Sequence, residues 1–77
     1  MKNMVGCNIL FMEILLNGKK MEIREETTIG ELLALHKLTP VRVAVERNGE
    51  IVRRADFHTI HLSAQDRIEV VTLVGGG

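Results

Sequence analysis

A chain of 77 residues has room for one small domain. Hydrophobic residues make up 45% of it and only Phe11 and Phe57 are aromatic, so any core is aliphatic. Ten basic residues balance ten acidic ones, which removes long-range attraction to nucleic acid or an anionic membrane. The single Cys7 excludes an intramolecular disulfide and a cysteine-based metal site, and fits a reducing cytoplasm.

Residues 1–11 are too short to span a membrane, and Gly6, Cys7 and Asn8 interrupt their apolar run, so no signal peptide is read there. They form an extension or the start of the first strand. Residues 12–16 read as a strand with Met12, Ile14 and Leu16 on one face. Asn17-Gly18 is a strong hairpin signal, because both central residues of that turn need positive φ. Residues 20–24 alternate as the return strand, with Met21 and Ile23 inward. Thr28-Ile29-Gly30-Glu31 has the form of a capping box. It opens a helix expected over residues 29–37, whose apolar face is Ile29, Leu32, Leu33 and His36. Pro40 enforces its end.

Residues 42–47 read as a strand, Asn48-Gly49 as a second hairpin turn, and Glu50-Ile51-Val52 as its return. Residues 53–57 suggest a short helical turn with Phe57 tucked inward, residues 58–62 a short edge strand, and residues 63–66 a turn. Residues 67–73 form the last strand with Ile68 and Val70 inward, which leaves Val71 and Leu73 on the opposite face. The first and last strands are candidates for parallel neighbours at the centre of a mixed sheet crossed by one helix, an α+β roll.

The chain closes on Val74-Gly75-Gly76-Gly77. Glycine loses the most conformational freedom on ordering, so such a run should stay mobile, and without Cβ atoms it fits a narrow channel. A slim tail with a free α-carboxylate suits a partner enzyme that must reach and activate that carboxylate. A frayed end or leftover linker is the other reading. His36, His58 and His61 give no third ligand for a metal at a useful spacing and read as ordinary histidines. No nucleophile, base and orienting group occur together, and no phosphate-binding glycine motif precedes a helix.

The element order with a glycine tail leaving the last strand resembles the ubiquitin-like β-grasp fold. Four stretches narrow the match: residues 12–18, residues 28–33, Val43 to Val52 with its Val45-Glu46-Arg47-Asn48 segment, and residues 66–77 with the Val-Gly-Gly-Gly ending. Together they resemble the ThiS family, the sulfur carriers of thiazole formation in thiamine biosynthesis. The resemblance implies a domain over residues 12–73 and a flexible tail over residues 74–77. It implies a protein substrate rather than an enzyme, with no bound cofactor. The adenylyltransferase ThiF would use ATP to activate the Gly77 carboxylate. A sulfur donor such as a cysteine desulfurase would supply sulfur, and the resulting thiocarboxylate would serve thiazole synthase, ThiG. Gly75 and Gly76 would give slimness and reach, and Val71, Leu73 and Val74 would dock the partner. The small subunit of molybdopterin synthase shares the fold and the chemistry, but commonly has a proline before its glycines. Here the only proline is Pro40. A non-conjugating ubiquitin-like interaction module is the alternative of another class.

Overall fold

The computed structural model describes residues 9–73. Cys7, Val74, Gly75, Gly76 and Gly77 lie outside the described residues. Strand β1 (Phe11–Leu16) turns at Asn17-Gly18 into β2 (Lys19–Arg24), and helix α1 (Ile29–Leu35) follows. A 3-10 turn (Pro40–Arg42) leads to β3 (Val43–Arg47) and β4 (Glu50–Val52); a second 3-10 turn (Arg54–Asp56) precedes β5 (Arg67–Thr72). The five strands form one sheet in the order β2-β1-β5-β3-β4. The first and last strands are parallel neighbours, with Leu15 opposite Arg67 and Leu16 opposite Ile68, and β3 lies antiparallel to β5. This is the β-grasp roll expected from the sequence.

Both hairpins turn as their residues dictate. Asn17 and Gly18 have φ of 51° and 83°, and Asn48 and Gly49 have 52° and 88°. These left-handed pairs match the right-handed twist of the flanking strands. Residue alternation then places Ile14, Ile23, Val43, Val45 and Ile68 on one face, where they gather with Ile29, Leu32 and Leu33 of α1 and with Phe57 and Leu62. Each aliphatic side chain so enclosed contributes about 1.5–3 kcal/mol relative to exposure.

Helix α1 starts where expected and ends earlier. The Thr28 hydroxyl accepts from the Glu31 amide at 3.1 Å, and Glu31 accepts from the Thr28 amide at 2.9 Å, a complete capping box. The helix was expected to reach residue 37 with His36 on its apolar face. It stops at Leu35, and His36 is its exposed C-cap. Lys37 takes a φ of 57°; its amide donates to the Ala34 carbonyl and that of Leu38 to the Leu33 carbonyl. That is a Schellman closure, normally built on glycine. The closure turns Leu38 against the core, so Leu38 takes the place foreseen for His36.

Residues 58–62 also depart from expectation. They make one isolated bridge, Thr28 with His61, rather than a strand. Their backbone is engaged elsewhere. The Phe57 carbonyl accepts from the Gly30 amide at 2.8 Å, the Ile60 carbonyl accepts from the Ile29 amide at 3.2 Å, and the Leu62 amide donates to Thr27. The first two of these bonds satisfy helix-terminal amides that would otherwise lack partners. The His58 ring lies over Gly30, where a Cβ would come within 2.8 Å of its Nδ1.

Candidate functional site: the end of the central strand

Strand β5 is the central strand of the sheet and the last element before Val74 in sequence. Its start is held by a polar hub. The Asp66 carboxylate, on a side chain 7% exposed, accepts from Nε of Arg47 at 2.8 Å, from the Asn48 amide group at 3.0 Å and from the Ser63 N–H at 2.8 Å. Burial acts to raise the Asp66 pKa, but the Ser63 N–H, the Asn48 amide and the Arg47 guanidinium outweigh it and hold the group below its ordinary value. Asn48 also accepts from the Arg67 N–H at 2.9 Å through its side-chain oxygen, and its own N–H donates to the Arg67 carbonyl at 2.7 Å. On the other flank, the Asn17 N–H donates to the Ile68 carbonyl and the Asn17 side-chain oxygen accepts from the Val70 N–H, both at 2.8 Å. The two hairpin asparagines therefore clamp β5 from either side. The sequence offered the asparagines only as turn formers, and gave no signal that Asp66 would be their meeting point.

The sheet face opposite the core is the second part of the site. Val71 lies opposite Ala44, and Glu46 lies between Ile51 on β4 and Glu69 on β5. Val71 is 60% exposed, Leu73 53% and Ile51 67%. Strand β5 ends at Thr72, yet the Leu73 N–H still donates to the Arg42 carbonyl at 2.7 Å, so Leu73 remains tied to the sheet. Val71 and Leu73 thus stand exposed at the C-terminal end of β5. Val74, the third residue expected at a docking surface, and the glycines lie outside the described residues.

Other candidates do not converge. His36, His58 and His61 sit at the C-cap of α1, over Gly30 and at the Thr28 bridge, respectively. Among the described residues no group of three or more histidine, cysteine, aspartate and glutamate side chains comes together, and no helix is long and apolar enough to cross a membrane. A shallow groove beside α1 is lined by Arg24, Glu25, Glu26, Thr27, Glu31, Ala34 and Leu35, and it shares no residue with β5.

A sheet of this order crossed by one helix, with its central strand clamped and running out toward a glycine tail, defines a protein of the ubiquitin-like β-grasp class. Comparison with known proteins places it within that class. The ThiS family model matches residues 14–77, and the chain belongs to that family. It is similar to the sulfur carrier protein ThiS of Bacillus subtilis, with 44% identity over 80% of this chain and 96% of that protein. It also resembles a thiazole synthase of Magnetococcus marinus, with 41% identity over 86% of this chain and 20% of that longer protein. Among solved structures, ThiS of Geobacter metallireducens superposes with a TM-score of 0.73 at 33% identity, covering 86% of this chain and all of that one.

Proposed function

We propose that this protein is the sulfur carrier of thiazole formation in thiamine biosynthesis, a substrate of its partner enzymes rather than a catalyst. The observation that carries the reading is the clamped β5, whose exposed Val71 and Leu73 immediately precede the Val74–Gly77 run in sequence. The match to a sulfur carrier over almost its whole length supports the chemistry. The match to part of a thiazole synthase supports that enzyme as the acceptor, because it makes a domain of this kind part of such a polypeptide.

A carboxylate is a poor acyl electrophile, so it must be activated before sulfur can enter. In the proposed sequence an adenylyltransferase of the ThiF type takes up the tail. The Gly77 carboxylate attacks the α-phosphorus of ATP, and pyrophosphate leaves. A persulfide sulfur from a cysteine desulfurase attacks the acyl carbon and AMP leaves. A thiol then reduces the acyl disulfide, releasing the thiocarboxylate. That soft nucleophile is delivered to thiazole synthase. Tethering the sulfur to the carrier raises its effective concentration at the acceptor. Gly75 and Gly76 supply a backbone slim enough for both enzymes, and Val71, Leu73 and Val74 supply the apolar docking contact. In this scheme the carrier holds no cofactor and works in the cytoplasm, where its single thiol stays reduced.

The test is the intact mass of the protein before and after incubation with ATP, the adenylyltransferase and a sulfur donor. The expected gain is the mass difference between one sulfur and one oxygen, absent when Gly77 is deleted. No gain with an active, cognate adenylyltransferase would overturn the reading in favour of an interaction module.

A further inference from the structure

The hydrogen-bond parity of β5 exposes a feature that the docking face does not use. Residues 67, 69, 71 and 73 direct their backbone groups toward β3: Arg67 bonds Asn48, and Leu73 bonds Arg42. Residues 66, 68 and 70 direct theirs toward β1: Asp66 and Ile68 accept from Leu15 and Asn17, and the Val70 N–H donates to the Asn17 side chain. Thr72 continues the second set. By then β1 has ended at Leu16, and its pairing with β5 has ended at Ile68. Among the described residues the Asn17 oxygen is thus the last acceptor on that side, and Thr72 is exposed beyond it. The central strand of the sheet becomes an edge strand over its final residues, on the side away from β3. An unpaired edge of this kind is a template for another chain.

We infer that the open edge of β5 at Thr72 pairs with an extended backbone segment of the adenylating enzyme, in register with the bond that Asn17 makes to Val70. The inference rests on the carrier reading and deepens it. Side-chain docking through Val71 and Leu73 selects the partner, whereas backbone pairing at Thr72 fixes how far along the enzyme the tail is drawn. Main-chain pairing of an added strand supplies affinity without demanding side chains. It suits a tail whose glycines offer none. Continuity with the proposed docking face favours the enzyme over a second copy of this chain, because the edge runs directly into the segment that the enzyme must thread.

The test uses the full chain and the adenylyltransferase. Thr72→Pro removes the one N–H among the described residues that points to the open side beyond Asn17 and none that points to β3, and proline is tolerated at edge positions. Its expected effect is a Kd for the enzyme weakened roughly tenfold or more, the consequence of leaving a partner carbonyl unpaired. Thr72→Val retains the N–H and is expected to bind as the unsubstituted chain does. Equal binding by the proline variant, or equal weakening by both variants, overturns the inference. Amide exchange gives an independent readout that needs no variant. Thr72 is expected to exchange freely in the isolated protein and to be protected in the complex; continued free exchange in the complex overturns the proposal. Thioacylation of the unsubstituted chain, followed by mass in the same mixture, separates the two levels. A chain that gains sulfur while Thr72 stays unprotected leaves the carrier reading intact and refutes only the edge pairing, and a chain that gains none refutes both.

Discussion

Replacing Asp66 by asparagine tests whether the polar hub holds the start of β5. The carboxylate accepts three hydrogen bonds, from Arg47, Asn48 and Ser63. Hydrogen bonds to charged groups contribute about 1.5–3 kcal/mol each. The Arg47 side chain is 28% exposed and can recover some hydration, which discounts its share. Asparagine keeps one acceptor oxygen, so the amide group it introduces faces a donor and at least one of the three bonds is lost outright. A net cost near 3 kcal/mol follows, and for a domain this size each kcal/mol lowers Tm by about 4–8 °C. With no tryptophan or tyrosine in the chain, circular dichroism in urea or on heating is the suitable probe.

The pH dependence sharpens the test. The folded pKa of Asp66 lies below its ordinary 3.8. The carboxylate's contribution is therefore fully present above that ordinary value, and it is lost as pH falls through the depressed folded value. The stability gap between the original chain and the D66N variant should be constant near neutrality and narrow below about pH 4. A gap under about 0.5 kcal/mol at pH 7, the ordinary range for surface substitutions, would refute the hub as an anchor for β5. A gap unchanged down to pH 2 would show that the charge is not its source.

Asn17→Gly keeps the turn geometry but loses the bond to Val70, and should cost roughly 1 kcal/mol in urea denaturation; Asn17→Ala adds strain at a φ of 51° and should cost more. Gly30→Ala places a Cβ 2.8 Å from Nδ1 of the exposed His58 ring, so it should be nearly neutral alone, with steric cost offsetting better helix propensity; combined with His58→Ala it should stabilise by about 0.5–1 kcal/mol, measured as a double-mutant cycle. Val71→Glu substitutes a 60% exposed residue, so Tm should move little while affinity for the adenylyltransferase falls at least tenfold; unchanged affinity in a calorimetric titration would remove Val71 from the docking surface.

The chain's local signals were sufficient for its local structure. Asn17-Gly18 and Asn48-Gly49 fixed two hairpins because their positive φ requirement acts within the turn itself. Thr28 and Glu31 fixed the start of α1 because each reaches the other's amide across one helical turn. Residue alternation fixed which face of each strand meets the core, and the order of elements with the glycine ending fixed the fold class. Other features depended on residues far apart in sequence. Helix α1 stops at Leu35 because Lys37 adopts the left-handed conformation and Leu38, rather than His36, reaches the core. Residues 58–62 give up a strand because the Ile60 carbonyl, with that of the preceding Phe57, serves the amides at the start of α1. Asp66 meets Arg47 and Asn48, separated from it by 19 and 18 positions, only once β3 and β5 have paired. The free edge at Thr72 exists because β1 turns away before β5 ends. A turn or a cap is decided by groups within a few bonds of each other. The hub and the open edge are decided by which backbone and side-chain groups the completed sheet brings side by side, and which it leaves without a neighbour.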